Sequence, residues 1–449
     1  MKPLVTRVVI LTSLALLSAC SQDDAPRSLS PEAANLPVPA DLPDAGDFAR
    51  NLPSHAYTQL SIATNEAASL KSSIDTLIAT PTQATLNQAR AHWRLSYSAY
   101  IAASASSSLP VAEPPEWQSA HLTRRHLTEQ LNSWPVEPGY IDYLDGYPLT
   151  GIVNDTTLTL SADNISSQHK FSDASYVSLG YPAIEFLLWG ESGLRDSSDF
   201  DRSADQPPAV PALTTPIENN TPTENDTALD IGGSHNSAHS LAATPKPHAK
   251  TVANQARRGE YLRIISDLLH QQLQRLQLRW EPESGYYANK VAQVSPEKIL
   301  QASLMTTQRL IREELLGHYL KNEGSSPFSA GNHQDVAAAL SGLRELFSPK
   351  GTTAGLAPLL AQSVHTVKEI DASSHQIEDV NTAADEPPAN SPIARLKATL
   401  APDSACGSGW QSAESHTASR QACRQQLLEL LATLEEINTQ LGMGLSSSH

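Results

Sequence analysis

Apolar residues recur along this chain at three- and four-residue intervals, and hardly anywhere at alternate positions. Leu70, Ile74, Leu77 and Ile78 keep one face of a helix that begins near His55 and breaks at Pro81. Ala89, Trp93, Tyr97 and Tyr100 form the stripe of a second helix over about Leu86–Ala105. A long amphipathic helix follows Val252, given by Tyr261, Ile264, Ile265, Leu268, Leu269, Leu273, Leu276 and Trp280. Further helices are predicted over Pro296–Leu320, from about Gln334 through Phe347, over Leu356–Ile370, and over Arg420–Leu441. No segment carries a convincing strand alternation. The densest internal apolar run is Ser178–Gly190, S-L-G-Y-P-A-I-E-F-L-L-W-G. It reads as a helix from about Tyr181 to Trp189, with Pro182 tolerated in the first turn and Gly190 as the stop. Glu185 stands in that run. It is either a carboxylate favoured by the helix N-terminus or a buried functional acid.

Between these patterns lie two stretches without periodicity. Residues 21–52 are rich in Pro, Ala and Asp and read as a tether. Residues 191–250 are rich in Ser, Thr, Pro, Asn and Asp and read as a disordered insertion holding His235, His239 and His248. Asp371–Pro392 reads as a polar loop.

The N-terminus changes the picture. Lys2 and Arg7 precede a short apolar stretch, Val8–Leu17, and then Leu17-Ser18-Ala19-Cys20 matches a bacterial lipobox. The expectation is cleavage before Cys20, lipidation of its thiol and, with Ser21 next, anchoring at the periplasmic face of the outer membrane. Cys406 and Cys423 then remain as an even pair in an oxidising compartment, where a disulfide is expected; a two-cysteine metal site is the weaker alternative. The net charge of −17 comes without a basic stripe, so nucleic acid is not an expected partner.

Other chemistry is sparse. The stretch Gly139–Gly146 supplies Tyr140, Asp142 and Asp145. The two aspartates read as turn or capping residues, with a metal role as the alternative. His333 and Asp335 form either a His–Asp pair or a helix N-terminus, in which Asn332 caps and Asp335 complements the dipole. There is no H-E-x-x-H and no G-x-S-x-G.

Several stretches together resemble the imelysin family of bacterial envelope proteins, named after an insulin-cleaving metallopeptidase. Ala89-Arg90-Ala91-His92-Trp93 followed by Tyr100 is similar to the family's opening A-R-x-x-W helix. Trp134-Pro135 with Tyr140-Ile141-Asp142-Tyr143 and Asp145-Gly146 is similar to its W-P…Y-I-D-Y…D-G run. Arg258-Gly259-Glu260-Tyr261-Leu262 is similar to the R-G-x-Y-L of its second half, and Phe328-Ser329 with His333 and Asp335 to its F-S-D-N-T-H-x-D loop. The signature G-x-H-x-x-E reads Gly180-Tyr181-Pro182-Ala183-Ile184-Glu185, with proline in the histidine position.

The resemblance implies an all-α fold of two packed helical bundles, interrupted by the long insertion. The expected organisation is a signal peptide over 1–19, lipidated Cys20 and tether over 20–52, bundle halves over 53–190 and 251–441, and a tail from 442. The expected function is a lipid-anchored binding or accessory protein, linked to acquisition of iron or another metal and to envelope iron-uptake partners. A metallopeptidase and a structural lipoprotein are the alternatives. The expected site gathers Glu185, Tyr140, Asp142, Asp145, His333 and Asp335 between the bundles, with iron or zinc as the divalent ion if Glu185 binds one. Pro182 offers no ligand atom, so Glu185 lacks its i−3 partner.

Overall fold

The computed structural model describes residues 28–39, 42–202, 254–321, 325–350, 354–361, 391–407 and 416–443. Its main helices are α1 (Gly46–Ala79), α2 (Gln83–Ser107), α3 (Arg124–Leu131), α4 (Gly180–Trp189), α5 (Gln255–Arg279), α6 (Pro296–Arg309), α7 (Asn332–Phe347), α8 (Pro392–Thr399) and α9 (His416–Gln440). Among the described residues, strand-type pairing is confined to two isolated bridges, Leu29 with Val111 and Leu144 with Tyr147. The all-α expectation holds.

The stripe on α1 explains why it packs. Leu52, Ala56, Leu60, Ala63, Ala67, Leu70, Ile74 and Leu77 are all buried. Their three- and four-residue spacing keeps one seam facing inward over nearly the whole helix. Thr82 then starts α2 with a reciprocal capping pair to Thr85, which satisfies orphan N–H groups at the turn. α5 lies antiparallel to α1, with Gln277 Nε2 donating to Ser61 Oγ at 3.0 Å near one end and Gly259 beside Ile78 near the other. α1 to α5 make the first bundle, so α5, expected in the half over 251–441, packs instead with the helices of the first half, against α1 and α4. The second is built from α6, α7, α8 and α9, with α6 continuing as a wider π-type helix over Leu310–Tyr319. The seam between them is α2 against α7. It is close because Gly342 has no side chain: a Cβ there would lie 2.1 Å from the Ala102 carbonyl oxygen. One apolar core runs through both bundles.

α4 is the central element. All ten of its residues are buried, not only the Ile184, Leu187 and Leu188 face. Its entry depends on Gly180, which has φ +81° and no room for a Cβ beside the Leu131 carbonyl oxygen. A buried helix needs partners for its end groups. Arg90 donates to the Leu188 carbonyl at 2.8 and 3.1 Å and to that of Arg195 at 2.7 Å. The Trp93 indole N–H donates to the Tyr181 carbonyl at 3.0 Å. Arg90 and Trp93 of the A-R-x-x-W stretch therefore hold α4 in place.

Three boundaries differ from the sequence reading. Residues 28–39, expected in the tether, pack on the body: Leu29 and Ala33 are buried, and Gln301 Nε2 donates to the Pro37 carbonyl at 2.6 Å. α1 begins at Gly46, nine residues before His55, because Phe48 and Leu52 extend its apolar face. Residues 191–202, expected in the insertion, pack on the body, with Arg195, Asp199 and Phe200 buried in the core despite their polar surroundings. Cys406 and Cys423 form the expected disulfide, tying the loop after α8 to α9. Cys20, the three insertion histidines, most of Asp371–Pro392 and Gln362–Ile370 of the predicted Leu356–Ile370 helix lie outside the described residues.

Candidate functional site

Two buried polar clusters flank α4. The first is a four-charge network. Asp142 is 0 % exposed and takes a bidentate contact from Arg258, Nε to Oδ2 at 2.6 Å and Nη2 to Oδ1 at 2.9 Å. Arg195 Nη1 reaches the same Asp142 Oδ2 at 2.8 Å and Asp199 Oδ2 at 3.3 Å. The Tyr143 hydroxyl donates to Asp199 Oδ2 at 2.7 Å. Burial alone would raise the Asp142 pKa, but the Arg258 and Arg195 guanidinium charges overcome it and hold the carboxyl below its ordinary value. Asp142 does cap the short helix Pro138–Ile141, its N–H donating to the Pro138 carbonyl at 3.3 Å, but its carboxylate is not a free metal ligand. Its two oxygens are occupied, and it joins the Y-I-D-Y stretch to the R-G-x-Y-L stretch on α5.

The second cluster lies where α4 meets the loop before α7. Glu185 stands in the middle of α4, not in its first turn, so stabilisation by the helix N-terminus does not apply. It is 0 % exposed. Its Oε1 accepts from the Ser329 backbone N–H at 2.8 Å. Its Oε2 finds no hydrogen-bond partner among the described residues, and the buried Ser329 Oγ stands beside the carboxyl also without one. Burial pushes the Glu185 pKa up to about 8; the Asp335 charge adds to the rise, while Ser329 and Arg94 oppose it. At neutral pH Glu185 is a neutral acid.

Asp335 follows on α7, 3 % exposed, with Oδ2 accepting from the hydroxyls of Ser325 and Ser326. Burial raises its pKa to about 6 against the pull of the two serines and Arg94. Arg94, from α2, donates to Gln334 Oε1 at 2.8 Å and to the Ser329 carbonyl, and its guanidinium lies 5.3 Å from the Trp189 ring centre. Phe186 and Phe328 close the cluster edge-to-face at 5.0 Å.

The structure thus brings Glu185 to the loop that ends in Asp335, but it does not bring the Gly139–Gly146 stretch there. The Tyr140 hydroxyl donates to the Gln168 carbonyl at 2.8 Å, and its ring stacks on Tyr176 at 4.4 Å. Asp142 belongs to the ion network. Asp145 is exposed, its N–H donating to Glu191 Oε2 at 2.9 Å. His333 is half-buried in the first turn of α7. Asn332 does not cap that helix: it is a helical residue, and its Oδ1 accepts from the Ser326 N–H at 2.8 Å.

Sequence reasoning missed Arg94, Ser325 and Ser326 around Glu185, and Arg195, Asp199 and Arg258 around Asp142. Arg195 and Asp199 sit at i, i+4, the spacing of a helical ion pair, which was a usable signal. Arg94 sits one turn after Arg90 on the same helix.

A hydrolytic metal ion takes about three protein ligands and keeps one position for water. Glu185 offers one open oxygen, Asp335 is held by serines, and Arg94 brings a positive charge to the same cluster. Among the described residues no group of three or more His, Cys, Asp or Glu side chains is placed to hold a metal. This donor set does not fit such an ion. No described helix is long and apolar enough to cross a membrane.

The family model described as Imelysin, a peptidase family, matches residues 55–438. Among solved structures, the chain is similar to one described as a "putative iron-regulated protein A precursor" from Parabacteroides distasonis. The TM-score is 0.53 at 12% identity, covering 91% of this chain and 99% of that one, a likeness of fold. No curated protein matches the chain.

Proposed function

The chain belongs to the imelysin family, and from that premise we propose that it works as a lipid-anchored binding or accessory protein of the bacterial envelope, tied to iron acquisition, and not as a metallopeptidase. The observation that carries this reading is the state of Glu185. It is a buried acid whose pKa is pushed up, with one open oxygen, at the seam of the two bundles, and among the described residues it stands in no group of three His, Cys, Asp or Glu side chains such as a hydrolytic ion requires. Pro182 occupies the signature's histidine position, which fits the same reading. The link to iron rests on the name of the similar fold from Parabacteroides distasonis. Anchoring rests on the lipobox ending in Cys20, and the partners proposed are envelope iron-uptake proteins.

The test is metal analysis and titration calorimetry on the form beginning after Cys20, with Glu185→Ala beside it, followed by assay against a model polypeptide. No cleavage with added zinc supports the reading. Zinc-dependent cleavage that disappears with a chelator and with Glu185→Gln overturns it in favour of a peptidase. Stoichiometric iron binding lost in Glu185→Ala would make this chain itself the iron carrier. Absence of binding in both forms assigns iron contact to the partner. For the anchor, Cys20→Ala is expected to move the protein from the membrane fraction to the soluble periplasm.

A further inference from the structure

A cavity lies far from Glu185. It is set between the first turns of α1 and the C-terminal end of α7, and encloses about 200 Å³. Along α7, Asn332 to Glu345 alone spans roughly 20 Å at the helical rise, so the cavity is separate from the Ser329–Asp335 cluster. Its walls are mainly apolar, from Phe48, Leu52, Leu346 and Pro349. Its polar groups come from Asn51, Ser54, His55 and Thr58 on α1 and from Glu345 on α7, the one carboxylate of the lining. The His55 Nε2 atom is buried and finds no hydrogen-bond partner among the described residues. The Glu345 side chain is 23% exposed, and its partner Lys350, at 3.4 Å, is 90% exposed. An exposed lysine of that kind holds its carboxylate weakly and is readily displaced.

Size, polarity and charge narrow the occupant. A dry cavity of about 150 Å³ accommodates a benzene molecule, so this one has room for a ring or short branched chain and a small head group. The head meets a carboxylate and a neutral imidazole nitrogen, which together accept hydrogen bonds and supply negative charge. An anionic head would be repelled by Glu345. We propose that this cavity is a binding site for a compact primary amine with an apolar body, its ammonium paired with Glu345 and donating to His55 Nε2. His55 accepts in the tautomer that carries its proton on Nδ1. Release of cavity water by the apolar body and the charge-assisted hydrogen bond both favour the complex.

The experiment uses the whole chain from Ser21 onward and three probes of closely similar size: 2-phenylethylamine, 2-phenylethanol and phenylacetate. Binding is read by saturation-transfer NMR, titration and the shift of the His55 imidazole resonances. The amine is expected to bind tightest and the carboxylate not at all. Glu345→Gln should weaken the amine about tenfold, the size expected for one charge-assisted bond, and Leu52→Trp should abolish binding by filling the cavity. Where Leu52→Trp fails to fold, Leu346→Phe at the same wall serves instead. No binding of the amine to the folded protein, equal binding of the carboxylate, or amine binding that survives both substitutions overturns the proposal. This cavity and Glu185 share no residue, so the outcome is independent of the proposed function.

Discussion

Asp142 and Glu185 are both carboxyl groups with no exposure to solvent, one packed beside α4 and the other carried on it. Their surroundings differ in one respect. Asp142 faces two guanidinium groups that are themselves buried, so its charge is kept. Glu185 has one backbone N–H and a cation that spends its hydrogen bonds on Gln334 and Ser329, so its charge is lost. A buried carboxyl that is fully paired fixes a fold. One left short of partners is a proton store and a place where another group can bind.

The comparison breaks most visibly at the ion network. Asp142→Asn or Arg258→Met leaves the remaining buried charges uncompensated, and about 3–5 kcal/mol of stability should be lost in chemical denaturation. The double change Asp142→Leu with Arg258→Met is expected to recover part of that loss, because uncompensated charge and not missing attraction is the larger cost.

Glu185→Gln should act in the other direction. The folded Glu185 pKa lies above the ordinary value of 4.5, at about 8. Between those values the folded state holds a proton that the unfolded chain has released. Stability therefore falls as pH rises through that window, by up to about 1.4 kcal/mol per pH unit, and is level above it. Asp335 contributes in the same sense but only up to about pH 6. Histidines whose pKa burial lowers, His169 and His318 among them, act in the opposite sense around pH 6.5, so Glu185 is isolated by the difference between wild type and Glu185→Gln and not by the slope alone. Glutamine keeps an acceptor for the Ser329 N–H and cannot ionise, so the variant should lose this slope and gain about 2 kcal/mol on the wild type between pH 6 and pH 8. Thermal melts at pH 6, 7 and 8 check both statements.

The smallest expected effect is at Ser329. Its buried hydroxyl stands beside the Glu185 carboxyl and helps to hold that pKa down, so Ser329→Ala should change stability by no more than about 1 kcal/mol and push the Glu185 titration further up. A loss above that would mean that the hydroxyl also holds Glu185 in place.

The helices were legible because their apolar spacing records which face is buried. The eight-position seam of α1 is written in its own sequence, and the aromatic stripe of α2 is likewise local. The packing of residues 28–39 was not legible, since it rests on two small apolar anchors, Leu29 and Ala33, within a Pro-rich segment. The core role of Arg195 and Asp199 was masked by a polar neighbourhood that is the usual mark of a loop. At the site, burial of Glu185 could be read from the apolar residues around it, but its partner could not. Ser329 lies 144 residues away and contributes a backbone N–H, which any residue type supplies. The Asp142–Arg258 pair, 116 residues apart, was present in two motif stretches that nothing local connects.

The protonation state of Glu185 bears most directly on this account. Difference infrared spectroscopy of the carboxyl C=O stretch across pH 5 to 9, with Glu185→Gln to identify the band, reads it in the intact protein. A protonated carboxyl at pH 7 that titrates near pH 8 is the predicted result. A carboxylate already ionised at pH 5 would contradict it, and would mean that Glu185 has a positive partner strong enough to make it a second Asp142.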